Sequence, residues 1–180
     1  MGMSMDTNDI DLRDLRRAFG RFVTGVTVVA TVLPDGRKIG FTANSFASVS
    51  LDPPLVSWNH SRRSPASEAL RRSRYFSINV LSDQQVEISQ RMARPAADKF
   101  ADIDVEDGLG GVPCLPGAIA IFECALRSTL DAGDHVIFVA DVLKYRHNDG
   151  QPLLFANGAY ALKGVAPSLC QGLPDREHRA

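Results

Sequence analysis

The chain has 180 residues, 44% hydrophobic and 23% charged, the size and balance of one globular domain. Twenty basic side chains oppose 21 acidic ones, so the net charge of −1 supplies no whole-chain attraction to nucleic acid or anionic lipid. Apolar runs reach about eight residues against roughly 20 for a membrane span. The N-terminus, MGMSMDTNDIDLRD, has no apolar h-region, and three cysteines without CxxC spacing argue against a disulfide framework or a zinc site. These features predict a cytoplasmic protein with no membrane and no nucleic-acid partner.

Residues 1–10 are polar and read as a loose arm. Asp9 or Asp11 is placed to cap a first helix, whose Leu12, Leu15, Phe19 and Phe22 recur at helical spacing as a buried stripe. Arg13, Arg16, Arg17 and Arg21 form its other face; a solvated face fits better than a grip on nucleic acid. From Val26 the period becomes two. Val26, Val28, Ala30 and Val32 alternate with Thr27, Val29, Thr31 and Leu33, a β-branched strand that ends at the Pro34-Asp35-Gly36 turn. A return strand is predicted over 38–42 and another over 54–59. Ser64 and Pro65 supply an N-cap and N1 pair for a short helix to Arg72.

A strand over 75–81 leads to Ser82 and Gln85, spaced as a capping box for a helix towards Met92. Residues 93–116 lack periodicity and read as a long loop. Alternation returns from Ala120 to Leu130, crosses Ala132-Gly133-Asp134-His135, and resumes over 136–146. After the Asn148-Asp149-Gly150 turn, 153–155 form a short strand, and the pattern dissolves after Gly164. Six or seven strands, mostly antiparallel neighbours, with two or three short helices predict a mainly β barrel or sandwich. The domain spans 11–164, with a flexible tail over 165–180. No GxGxxG or GxxxxGK[ST] motif occurs.

Three segments carry candidate chemistry. Gly40–Pro54 packs Thr42, Asn44, Ser45, Ser48 and Ser50 together, which suits either a groove for a polar planar ligand or an edge strand facing water. Asn59-His60-Ser61-Arg62-Arg63-Ser64-Pro65 suits either a phosphate site or a capped helix with solvated arginines. His135, at a hairpin end, suits either redox-linked proton chemistry or simple exposure. His60, His147 and His178 show no ligand spacing with it, so no metal site is expected. Cys124 falls on an apolar face and reads as core.

Phe22–Val29, Gly40–Phe46, Ser48–Pro54, Phe76–Leu81, Asp98-Lys99-Phe100, Gly133-Asp134-His135 and Pro152–Phe155 with Gly158 and Tyr160 occur in an order and spacing that resemble the short-chain flavin reductases, the small components of two-component flavin-dependent monooxygenases. The resemblance runs from about Leu15 to Leu162. It implies an FMN-binding split β-barrel with short flanking helices. It implies a homodimer with flavin sites near the interface. It implies hydride transfer from NADH or NADPH to FMN or FAD, and transient transfer of reduced flavin to an oxygenase component. Thr42, Ala43, Asn44 and Ser45 would lie beside the flavin ring, Ser48, Val49 and Ser50 would continue the wall, and Asn59, Ser61 and Ser64 would take the ribityl chain and phosphate. Lys99 and Phe100 would border the flavin; His135, the catalytic candidate, would lie on the nicotinamide side, with Tyr160 nearby. Other readings are a flavin-binding protein of another redox role, marked by a non-exchanging yellow cofactor, and a nucleic-acid-binding regulatory module, marked by salt-dependent binding.

Overall fold

A computed structural model of the protein describes residues 10–161; residues 1–9 of the expected arm, the expected tail, Cys170 and His178 fall outside the described residues. The elements are α1 (Leu12–Phe19), β1 (Thr24–Gly25), β2 (Thr27–Val32), β3 (Lys38–Ala43), β4 (Ala47–Leu51), β5 (Pro54–Ser61), α2 (Ser67–Arg72), β6 (Tyr75–Val80), α3 (Val86–Ala93), β7 (Glu106–Asp107), a 3-10 turn (Leu109–Gly111), β8 (Pro113–Cys114), β9 (Ala120–Ala132), β10 (His135–His147), β11 (Leu154–Ala156) and β12 (Ala159–Ala161). Seven strands form one sheet in the order β3-β2-β6-β9-β10-β5-β4. Every neighbouring pair in it is antiparallel. Three short strands, β1-β11-β12, form a second sheet.

The β-branched run after Val26 becomes β2, and the turn after it closes as its residues dictate. Gly36 has φ of 83°, the left-handed conformation glycine accepts most readily, and Leu33 N donates to Arg37 O at 2.9 Å. Both faces of β2 are buried. Val29 joins the interior cluster, while Val26, Val28 and Ala30 meet Met92, Phe100, Leu115 and Leu153 on the other side. The interior is filled by Trp58, Phe76 and Phe138, all fully buried. Trp58 stacks on Phe138 (centroids 5.3 Å, 10° between planes) and tilts on Phe76 at 5.0 Å. Each ring removes enough apolar surface from water to contribute roughly 4–6 kcal/mol of transfer free energy.

The helices depart from expectation in their detail. Asp11 caps α1, accepting from Arg13 N at 2.8 Å, but the stripe is not buried: Leu12, Phe19 and Phe22 are 67%, 68% and 77% exposed. The amphipathic pattern marks a face to be covered, and the described chain does not fold back over it. α2 begins at Ser67, because the Ser64 hydroxyl accepts from Ala66 N (3.3 Å) and stabilises a turn ahead of the helix. In the expected capping box, Gln85 Oε1 accepts from Ser82 N at 3.1 Å, yet α3 starts at Val86, after both residues. The stretch read as a loop over 93–116 contains the β7–β8 hairpin. Among the described residues no helix is long and apolar enough to cross a membrane.

Buried polar side chains tie the outer layer to the sheet. Asn79 Nδ2 donates to Val28 O (3.1 Å), and its Oδ1 accepts from Leu115 N (2.8 Å). Ser77 Oγ donates to Pro113 O. Removing one partner of such bonds leaves buried groups unpaired, at about 1–3 kcal/mol. Asn79→Ala is therefore expected to lower unfolding free energy by about 3 kcal/mol in urea denaturation; a loss under about 1 kcal/mol contradicts the assigned role.

Candidate functional site: a cleft along the sheet seam

β3 and β4 are the two edges of the seven-stranded sheet. Between β3, the end of β5 and the chain from Met92 to Val105 lies a cleft of about 1420 Å³. A single hydroxyl ties its two sides: Ser45 Oγ accepts from Asn59 N at 2.9 Å and donates to Asn59 O at 3.4 Å. The tie links the chain just past β3 to β5 across the seam.

Thr42, Ala43, Asn44, Ser45, Asn59, Ser61, Ser64, Lys99, Phe100 and His135 all line the cleft. Four other expected site residues do not. Ser48, Val49 and Ser50 sit on edge strand β4, where Val49 is 53% exposed. Tyr160 lies behind the wall, its hydroxyl 2.8 Å from Ser89 Oγ and its ring edge-on to Phe155. Ser89 O in turn accepts from Thr42 Oγ1 (2.6 Å), so the Thr42 hydroxyl is turned into the protein. The two readings of Gly40–Pro54 thus divide along its length: its first half is groove, its second half water-facing edge.

Lys99 acts as a clasp. Its Nζ donates to Gly40 O at 3.1 Å and Met92 O at 2.8 Å, and burial lowers its pKa. The loop is held close: a Cβ on Gly40 would sit 2.7 Å from the Phe100 ring and 3.1 Å from Met92 Sδ. At the opposite side His135 Nδ1 pairs with Asp134 Oδ1 at 2.7 Å, and this bond holds the Asp134 carboxyl below its usual range. Arg37, Lys38 and Lys99 line the cleft against one carboxylate, Asp98, whose Oδ1 accepts from Phe100 N at 2.9 Å. Just outside the lining Asp35 pairs with Arg37 at 2.7 Å and Asp107 lies 3.7 Å from Lys38, so these three cations meet as many carboxylates.

Sequence reasoning passed over His60, which lines the cleft at 9% exposure with its ring 4.3 Å from Phe41. Burial, then the charges of His135 and Lys99, depress its pKa to about 4, so it is neutral near pH 7. Its signal was alternation: Val56, Trp58 and His60 share the inward face of β5. Among the described residues no group of His, Cys, Asp and Glu is placed to hold a metal ion.

A seven-stranded antiparallel sheet thus carries at its seam a cleft lined by short polar side chains and by Lys99. The chain belongs to the flavin reductase family: the model described as "Flavin reductase like domain" matches residues 19–162. It is 48% identical over 148 residues to the "FMN reductase (NADH) SmoA" of Agrobacterium fabrum, covering 82% of this chain and 84% of that one. It is 37% identical over 169 residues to the "Flavin-dependent monooxygenase, reductase subunit HsaB" of Rhodococcus jostii, covering 93% and 85%. Among solved structures, the Streptomyces globisporus NADH:FAD oxidoreductase SgcE6 superposes with a TM-score of 0.81 at 34% identity, over 87% of this chain and 97% of that one.

The buried His60 makes stability depend on pH. Its folded pKa of about 4 lies below the unfolded value of 6.5, so between these limits the unfolded chain holds a proton that the folded chain lacks. The stability His60 permits is full above about pH 6.5 and is lost as pH falls towards 4. His60→Phe is expected to flatten this window. Its unfolding free energy relative to the original protein should rise by about 2–3 kcal/mol between pH 7.5 and pH 4.5 in urea titrations. Parallel curves for the two proteins would remove the assignment.

Proposed function

We propose that the protein is an NAD(P)H:flavin oxidoreductase that reduces FMN or FAD and supplies reduced flavin to a partner monooxygenase. The observation that carries this reading is the cleft itself, in which ten of the residues implied by the flavin-reductase resemblance meet across the seam. The names of the relatives, an NADH-dependent FMN reductase and a monooxygenase reductase subunit, point the same way.

The groove suits a flavin nucleotide. Ala43 and Ser45 are small and leave a low wall beside a planar ring, and Asn59, Ser61 and Ser64 offer short polar groups at one end. The edge of β3 that faces away from β2 presents backbone N–H and C=O groups that no strand pairs. A bound flavin supplies the hydride-accepting chemistry; the protein supplies orientation and electrostatics. Ser45, fixed by Asn59, sets the wall height. Lys99 keeps the loop with Phe100 across the groove and adds positive charge that favours an anionic ligand. Phe41 and Phe100 shield the floor from water. His135, with Nδ1 held by Asp134, has its other ring nitrogen available to orient the hydride donor or steady developing charge.

Two further inferences belong to this reading. Val49 and Leu51, 53% and 90% exposed on β4, whose outer edge no strand pairs, form an apolar rim suited to a second copy, so the chain is read as a homodimer. Burial pushes the free thiols of Cys114 and Cys124 up to about 11 and about 12, which suits unreactive cysteines in the reducing cytoplasm, where the reaction is placed.

Steady-state oxidation of NADH and of NADPH, each with FMN, FAD and riboflavin, tests the activity; no acceleration by any pair defeats it. His135→Ala should lower kcat about tenfold, equivalent to 1.4 kcal/mol, with flavin Kd within about twofold. Unchanged turnover removes His135 from the chemistry. Leu51→Lys is expected to shift the mass in light scattering from two chains to one, and a monomeric starting protein would refute the dimer.

A further inference from the structure

Trp58 is the single tryptophan of the chain and is fully buried in the aromatic core. Phe138 stacks on the indole at 5.3 Å and Phe76 tilts on it at 5.0 Å. Such packing covers the carbon surface of the ring and leaves its N–H unanswered. Trp58 Nε1 is buried and makes no hydrogen bond within the described chain. An indole nitrogen can only donate, so what it lacks is an acceptor.

The next inward position of β5 has the same deficit and the opposite capacity. His60 is buried, and its Nε2 also makes no hydrogen bond within the described chain. Burial, with the charges of His135 and Lys99, keeps the ring neutral near pH 7. A neutral imidazole carries one N–H and one bare nitrogen that accepts. Trp58 and His60 are two residues apart on one face of the strand, about 6.6–6.8 Å along it at 3.3–3.4 Å per residue. One water, at about 2.8–3.0 Å from each of two polar atoms, spans a gap of that size. Buried polar atoms are nearly always satisfied, and here a donor and an acceptor without partners share one face. If Nε2 accepts, the proton of the ring is on Nδ1. His60 also lines the cleft, where other donors are already spent: Lys99 Nζ on Gly40 O and Met92 O, Thr42 Oγ1 on Ser89 O.

We propose that Trp58 is a positioning residue for the cleft: through one buried water its indole N–H holds His60 as the Nδ1–H tautomer, so that the imidazole presents a hydrogen-bond donor to the ligand. The identity of that ligand rests on the flavin-reductase reading; a flavin ring offers carbonyl oxygens and bare ring nitrogens as acceptors. Trp58 itself touches no ligand and acts through His60. A residue that packs the core thereby also sets which hydrogen-bonding face the cleft shows.

The test uses the full chain with histidine labelled with nitrogen-15 and no ligand added. NMR near pH 7.5 is expected to show His60 with a protonated Nδ1 and a bare Nε2. Because the chain has one tryptophan, biosynthetic replacement by its benzothiophene analogue removes only the Trp58 N–H and keeps the ring shape. The analogue is expected to move the His60 proton to Nε2. A proton on Nε2 in the original protein, or a tautomer indifferent to the analogue, overturns the proposal. FMN affinity by calorimetry is the second readout. The analogue and His60→Gln should each weaken FMN binding about tenfold, whereas His60→Asn, whose amide nitrogen falls near the place of Nδ1, should stay within about threefold. In the His60→Asn background the analogue should cost nothing further, since Trp58 acts through His60. Equal losses in both backgrounds reduce Trp58 to packing and overturn the relay, and FMN affinity unmoved by the analogue and by His60→Gln overturns the donor's role. Trp58→Phe, which also lacks the N–H, repeats each arm if the analogue fails to fold. Absence of FMN binding in the original protein refutes the flavin reading alone, and the His60 tautomer then decides the relay by itself.

Discussion

The cleft exists because edge strand β3 approaches, without pairing, the end of β5 that lies beyond its register with β4. A seven-stranded antiparallel sheet this curled brings β3 towards β5, and closing it completely would satisfy the backbone groups along its edges. Here the seam stays open, spanned by the Ser45 hydroxyl bonded both ways to Asn59. One small side chain thus replaces a stretch of strand ladder. The backbone groups left over along β3 become available to a ligand, and the strand that would have covered them is absent by construction. Trp58, Phe76 and Phe138 hold the curl from inside, so the seam's width is set by a packed aromatic core and not by the ligand.

A layer behind the cleft fixes the wall. Tyr160 meets Ser89, Ser89 receives Thr42, and Lys99 grips the carbonyls of Gly40 and Met92. These contacts link β12, α3 and the following loop to alternate positions on β3. Gly40 is needed in this arrangement because the Phe100 ring occupies the space a side chain would take. The polar groups that look most reactive in the sequence are thereby partly consumed by structure: the Thr42 hydroxyl faces a carbonyl, and the Lys99 ammonium is a clasp before it is a charge.

Much of the fold was legible because strands β2, β3, β6, β9 and β10 advertise themselves by β-branched alternation and by turns with a glycine or proline at the required position. The class of the protein was legible through the ordered motifs. What escaped had no local signature. The α1 stripe of Leu12, Phe19 and Phe22 has helical periodicity, but periodicity does not say whether the chain covers the stripe itself. Ser64 satisfies the rule for a helix cap and serves a turn instead, since the same hydroxyl bond supports either. His60 was set aside for lack of ligand spacing, although its inward phase on β5 shares the cleft with Asn59 and Ser61. Lys99 stands 59 positions from the Gly40 carbonyl it binds, a distance no window of sequence spans. Ser48, Val49 and Ser50 belong to the same run of small polar residues as Thr42 to Ser45, yet the chain turns between them and places the two halves on different strands.

The Lys99 clasp also bears on how the loop opens. The loop beyond Met92 is fastened by one ammonium through two hydrogen bonds, one to Gly40 O on β3 and one to Met92 O on α3, each worth about 1 kcal/mol net. Unfastening both changes the loop's opening equilibrium by only about thirtyfold, small beside the stability of the sheet it leans on. The same loop also buries the Phe100 ring with Met92, Leu115 and Leu153, so it is tied to the sheet by a cation and by a ring together.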